Sequence, residues 1–286
     1  VFMTRAMAYA LHARVALYMQ DWATAIDYST RLIDNKRFSL MSTKTTIYSQ
    51  YSDYDYMWLY DNGTELFWRQ GFTTTSYGGA LGQVFLNYNN DYTYFYPDYV
   101  PAQWVLNLYD QNDLRYGSFF YTGQTGYDHA LAWPLLVKYY GNINFIESAL
   151  IYHVSMPKPF RLAEQYLIRA EAYAMKEDYG KAGKDISTLR TARYSSYGGN
   201  TSMSESNAMK IIEAERVKEL YMEGFRLNDL KRWHKGFERK AADQPAANFV
   251  QSSLKVEKDD PLFVWPIPQH ELEAPGSEIQ PNESNK

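Results

Sequence analysis

The sequence predicts a mostly α-helical protein in which paired antiparallel helices flank a long, loop-rich insertion. Three observations carry that prediction. Two distant stretches, Ala8–Ala25 and Gln165–Ala182, align without gaps as helix, short turn, helix. Helical periodicity lapses between them, where Tyr, Asn, Gly, Thr and Ser accumulate. A charged stretch near the C-terminus, Ala214–Trp233, returns to helical spacing.

The first hairpin spans Met3–Asn35, within a segment ending near residue 37. Ala6, Ala10 and Ala13 recur at the i,i+3/i+4 spacing of one helical face, and such small residues let a partner helix approach closely. "MQDW" turns the chain, and Ala23–Ile33 continues as the second helix. In the second copy, within Glu164–Arg193, Tyr9 falls on Tyr166, Ala13 on Ala170, Asp21 on Asp178 and Trp22 on Tyr179. This is a tetratricopeptide-like hairpin plan, whose units bury their apolar faces by stacking on neighbours. The chain opens inside a helical pattern, so further hairpins are expected upstream.

Residues 38–160 form the insertion. "TELFWRQGF" (Thr64–Phe72) reads as a short buried strand and "PAQWVLNLYDQND" (Pro101–Asp113) as a helix of a few turns. The remainder reads as loop, and a long ordered loop in a compact domain usually carries function. Residues 161–240 hold the second hairpin and the charged helix. Residues 241–286 contain many of the prolines and read as an extended tail.

In the charged segment, Glu215–Glu219 and Glu219–Glu223 are i,i+4 like-charge pairs that would repel on a bare helix. They are expected to be neutralised by arginines from elsewhere, such as Arg169, Arg190 or Arg193, because a guanidinium fork binds a carboxylate bidentately. Gly224 is expected to allow another backbone to approach.

Composition narrows the function. The net charge of −4 and pI of about 5.8 give no nucleic-acid footprint. With no cysteine there is no disulfide, Cys-ligated zinc or thiol nucleophile. No window approaches the length of a membrane span, and the start is not a signal peptide. His12, His129, His153, His234 and His270 show no metal-ligand spacing, and there is no phosphate-binding loop or nucleophile elbow, so no metal, cofactor or catalytic residue is assigned. The outlier is 17% aromatic content with 27 tyrosines. In "NYNNDYTYFYPDY" (Asn87–Tyr99), tyrosines alternate with Asn and Asp. Aromatic planes stack on the C–H faces of sugar rings while amides and carboxylates bond the hydroxyls, which makes Tyr77, Asn90, Asp91, Tyr92, Tyr94 and Tyr96 the candidate ligand-binding residues. The alternative is that Tyr92, Tyr94 and Tyr96 form one face of a core strand.

Five motifs occur in order: "RLAEQYLIRAEAYA" (Arg161–Ala174), "LRTAR" (Leu189–Arg193), "ERVKELYMEGFRLNDLKRW" (Glu215–Trp233), "WPIPQHEL" (Trp265–Leu272) and "IQPN" (Ile279–Asn282). Together they resemble the C-terminal half of the SusD/RagB family, glycan-binding lipoproteins of the Bacteroidota outer membrane. The resemblance covers nearly the whole chain and is weakest from about Gly71 to Pro97. It implies that residues 1–286 are the C-terminal part of a single SusD-like domain. It also implies a non-enzymatic protein at the extracellular face, held by an N-terminal lipid anchor not present in this chain. Such a protein would capture an oligosaccharide or polysaccharide for a SusC-like TonB-dependent transporter. Some relatives serve peptide or other nutrient uptake. A glycan hydrolase and a helical-repeat scaffold that binds only protein stay open as alternatives.

Overall fold

Helix α1 (Arg5–Tyr18) starts where the Thr4 hydroxyl accepts from the Met7 amide, and α2 (Trp22–Ile33) starts where Asp21 accepts from Thr24. Each cap satisfies a backbone donor that has no partner within its helix. The computed structural model describes residues 3–44, 46–48, 51–88, 93–126, 131–243 and 255–285, arranged in two compact units, 1–221 and 222–286. The second hairpin, α8 (Leu162–Met175) and α9 (Tyr179–Arg193), repeats the first in detail: Asp178 caps α9 by accepting from Lys181. Gln20 and Glu177, which precede the two capping aspartates, both adopt left-handed backbone, at φ 59° and 60°. Helix α1 packs on α2, α2 on α8 and α8 on α9, so the four make one continuous layer. Ala13, Ala16, Ala25 and Ala172 are buried at these contacts beside Leu17 and Ile168. Small side chains permit the close approach, and Arg169 adds a two-pronged bridge to Asp185 at 2.7–2.8 Å.

The segment between α2 and α8 is more structured than its composition implies. Strands β1 (Thr46–Tyr48) and β2 (Tyr51–Ser52) lead into α3 (Asp53–Leu59), which opens with a reciprocal Ser52–Asp55 capping box. Strand β3 (Leu66–Trp68) pairs antiparallel with β6 (Phe160–Arg161), fixing both ends of the insertion beside the helical layer. Short helices follow at α4 (Gln83–Leu86), α5 (Gln103–Leu106) and α6 (Arg115–Phe119). The expected multi-turn helix at Pro101–Asp113 is thus a single turn. Helix α6 runs directly into β4 (Phe120–Thr125), which pairs residue for residue with β5 (Leu131–Leu136). Pro134 within β5 and Gly123 within β4 hide this hairpin in the sequence, since both residues are poor strand formers. Helix α7 (Ile143–Ala149) completes the insertion. Its core is aromatic: Tyr54, Trp58, Phe85, Phe119, Phe120 and Tyr139 bury one another with Met57, Leu135 and Leu136.

The charged segment is not one helix. Helix α10 (Ala208–Glu219) ends at Leu220, and α11 begins at Arg226 and runs to Arg232. Gly224 lies at φ +86° with nothing within 4 Å of where a Cβ would stand, so its role is left-handed backbone rather than close approach.

The charges of α10 point inward. Glu219 meets Arg193, Arg161 and Arg115 at 2.9–3.0 Å, and Glu215 meets Arg115 and Arg190 at 2.7 Å. Glu65 accepts from Arg161 at 2.8 Å and from Arg193 at 3.0 Å, while Asp113 holds Arg115 at 2.6 Å and Lys218 at 3.1 Å. Of the expected partners, Arg190 and Arg193 participate, whereas Arg169 serves Asp185 in the hairpin. Burial raises the Glu215 pKa, but Arg115, Lys218 and Arg190 outweigh it and hold the group at about 2. Glu219 is likewise held well below the ordinary carboxylate range: burial opposes its charge, and Arg193, Arg161 and Arg115 prevail.

In the second unit, β7 (Phe237–Glu238) pairs antiparallel with β8 (Lys255–Val256), and Phe237 packs with the buried Leu230, Val256 and Phe263. The chain then turns through α12 (Gln269–Leu272), and Asn282 and Asn285 tie the last residues to the backbone of Trp265 and Ile267.

Candidate ligand cleft

Strand β4 alternates: Phe120 is buried in the core and Tyr121 turns outward, 56% exposed. A further segment joins its edge. The Phe95 amide donates to Gln124 O at 3.0 Å, and Gly126 N donates to Phe95 O at 2.9 Å. A Cβ at Gly123 would come within 2.8 Å of the Phe95 ring, so glycine is what lets that ring lie on the strand. Phe95 in turn packs against Tyr88, which follows α4, with ring centroids 4.2 Å apart and planes tilted by 34°. The opposite wall comes from the Tyr139–Tyr140 pair after β5, where Tyr139 is buried and Tyr140 is 42% exposed. His153 lies beside it, with its ring 6.3 Å from that of Tyr140 and Nδ1 donating to Tyr140 O at 3.2 Å.

These residues enclose an open cleft of about 450 Å³, lined by Leu86, Tyr88, Phe95, Phe120, Tyr121 and Val137 together with Gly117, Tyr140 and His153. Burial raises the Tyr88 pKa, with smaller contributions from the phenols of Tyr140 and Tyr121, so the three phenols lie near enough to influence one another. Burial also lowers the His153 pKa, partly offset by the Tyr140 carbonyl, which keeps the imidazole neutral at neutral pH. The wall that carries Tyr140 and His153 is pinned from beneath by Asp61. Its Oδ2 accepts from Asn142 Nδ2 at 2.7 Å and from Met156 N at 3.0 Å, and the carboxylate pairs with the buried Lys158. Asn142 N closes the loop by donating to Val154 O at 2.8 Å.

Of the residues singled out by sequence, the described ones, Tyr77, Tyr94 and Tyr96, are not part of the lining of this cleft. Tyr77 is exposed, at 47%. Tyr94 and Tyr96 are half-buried, and the Tyr96 ring lies over Gly126. Asn90, Asp91 and Tyr92 lie outside the described residues. The alternating core strand considered for Tyr92–Tyr96 does not form over its described part, where Phe95 rather than the tyrosines makes the bridges, to Tyr88 and Thr125. Tyr121, Tyr140 and His153 were not marked by the sequence reading. The in–out alternation of "FFYTGQT" is the signal that could have found Tyr121. Among the described residues, no three His, Asp or Glu side chains gather as a metal-binding set, and no helix is long and apolar enough to cross a membrane.

The helical-hairpin fold has counterparts among known proteins. A sequence model of the SusD family matches residues 151–282. Among solved structures, the chain is similar to a SusD superfamily protein from Bacteroides thetaiotaomicron at a TM-score of 0.76 and 24% identity, covering 98% of this chain and 60% of that one. It is also similar to a surface glycan-binding protein A from Bacteroides uniformis, at a TM-score of 0.69 and 19% identity over 97% and 61% of the two chains. A SusD-like carbohydrate binding protein from Bacteroides vulgatus aligns at a TM-score of 0.60 and 21% identity, over 88% and 50%. No curated protein matches the sequence at comparable significance. The chain therefore has the SusD-superfamily fold, with the family's sequence pattern over residues 151–282, and spans about three-fifths of the first of these relatives.

Proposed function

We propose that this chain is part of a non-enzymatic glycan-binding protein at the extracellular face of the outer membrane. In this reading it captures an oligosaccharide in the aromatic cleft and passes it to a SusC-like TonB-dependent transporter, with an N-terminal lipid anchor holding the protein to the membrane. The observation that carries the reading is the trio of outward-facing phenols, Tyr88, Tyr121 and Tyr140, over an apolar floor. Such rings offer a flat apolar face to sugar C–H groups and a hydroxyl to sugar hydroxyls. The names of two similar structures, a carbohydrate binding protein and a surface glycan-binding protein, support it. Tyr77, Tyr92, Tyr94 and Tyr96, with Asn90 and Asp91 as hydrogen-bonding partners, are the further proposed contacts.

The hydrolase alternative is disfavoured by chemistry. Glycoside hydrolysis uses two carboxyl groups facing each other across the scissile bond, and the cleft lining contains none among the described residues. A glycan array followed by calorimetric titration tests the proposal. Saturable binding without release of new reducing ends is expected, weakened about tenfold or more in Tyr121→Ala, which corresponds to about 1.4 kcal/mol. Turnover of a polysaccharide, or binding indifferent to Tyr121, overturns it.

A further inference from the structure

Charge is distributed unusually around the cleft. From Gln70 to Pro157, the stretch that supplies every lining residue, the sequence contains only two Lys or Arg residues, Arg115 and Lys138. Both are at most 1% exposed. Arg115 is committed to Asp113, Glu215 and Glu219. Lys138 donates to Tyr221 O at 2.9 Å and lies over the rings of Trp58 and Phe119 at 4.3 and 4.4 Å. Neither can turn to meet a ligand without leaving buried partners behind. The exposed charges described on the same stretch, Asp98, Asp110 and Glu147, are all acidic.

We infer that the cleft takes an uncharged saccharide and discriminates against chains bearing carboxylate, sulfate or phosphate groups. The inference rests on the glycan-binding reading and deepens it. Anionic groups are recognised by charge-assisted bonds, above all from the planar fork of arginine, and a site without an available cation must strip water from the anion with no compensating partner. A neutral sugar meets none of these costs, because its C–H faces and hydroxyls match the phenol rings and their oxygens. The neutral His153 imidazole fits the same chemistry.

The test compares neutral polysaccharides (β-glucan, xylan, mannan, galactan) with acidic ones (polygalacturonate, carboxymethyl cellulose, chondroitin sulfate), each titrated against the protein and its Tyr121→Ala variant. The expected result is a neutral ligand whose affinity changes less than about twofold between 50 and 500 mM NaCl, because no ion pair is there to be screened. That binding should be lost in Tyr121→Ala. An acidic ligand that binds most tightly, weakens with salt and requires Tyr121 overturns the inference and leaves the glycan-binding reading standing. Failure of every glycan in the panel, or binding that survives in Tyr121→Ala, overturns the assignment of the cleft itself and the inference with it. Tyr121 is outward-facing, so the variant should fold, and an unchanged melting temperature verifies this.

Discussion

Arg193 grips Glu219 with two nitrogens: Nε reaches Oε2 at 3.0 Å and Nη2 reaches Oε1 at 2.9 Å, with both side chains wholly buried. The pair joins the end of α9 to the end of α10. Arg115, within the insertion, and Arg161, at its end, close on the same carboxylate. The like charges of α10 are thus tolerated because cations from three other segments surround them.

Removing one partner should be costly. Glu219→Ala takes from three buried guanidinium groups the carboxylate they share, and breaking a buried pair in this way costs about 3–5 kcal/mol. Urea unfolding should show that loss, while any sugar affinity of the folded fraction stays unchanged because the pair does not line the cleft. A variant that melts like the parent would mean that these charges are solvated.

Acid should unfold the protein through the same cluster. Glu215 ordinarily titrates at 4.5 and is held at about 2 in the folded protein. A depressed carboxylate contributes stability that is fully present above its unfolded value and is lost as pH falls through the folded value. Stability should therefore decline between about pH 4.5 and 2, and the decline should be shallower in Glu215→Gln, followed by denaturant midpoints across that range.

Neighbouring aromatics should separate binding from stability. Tyr121→Ala and Tyr140→Ala remove outward-facing rings and should change stability by less than about 1 kcal/mol while weakening ligand binding. Tyr139→Ala removes a buried ring and should cost about 3–5 kcal/mol. Titration and thermal melting of the three variants check the contrast. Adding Tyr77→Ala, Tyr94→Ala and Tyr96→Ala shows whether the loop tyrosines share in binding.

Asp61 should affect both properties at once. Asp61→Ala takes the carboxylate from Lys158 and releases Asn142 and Met156 N, the supports under the wall that carries Tyr140 and His153. A stability loss of about 3–5 kcal/mol is expected. At temperatures where the variant is still folded, its ligand affinity should also fall. Unchanged affinity in the folded variant would show that the wall keeps its shape without this anchor.

The helical layer could be read from sequence because its determinants are local. Asp21 and Asp178 each cap the helix that follows, and the apolar spacing of each hairpin lies within a single window. The ion cluster could be read only in part. Crowded glutamates announced a need for cations, but Arg115 is 104 residues from Glu219, and no short-range pattern marks such a partner. The break after Glu219 was missed because helical spacing persists on both sides of Gly224, and only the backbone reveals the left-handed residue. The cleft was visible as composition rather than position. Tyrosine abundance pointed to the insertion, yet the lining depends on which of two adjacent rings turns outward at 120–121, where β4 pairs with β5, and at 139–140 beyond β5.

The buried ion cluster also bears on the order of folding. Its contacts close loops of 58 residues between Arg161 and Glu219, 104 between Arg115 and Glu219, and 128 between Glu65 and Arg193. Helical hairpins close locally and quickly, whereas contacts between distant segments slow the search. The two hairpins should therefore form early, and the cluster should assemble only after the insertion has been threaded between them. Interactions made after the rate-limiting step govern how fast the native state is lost rather than how fast it is reached. The same carboxylates that delay completion of the fold should make its spontaneous opening slow.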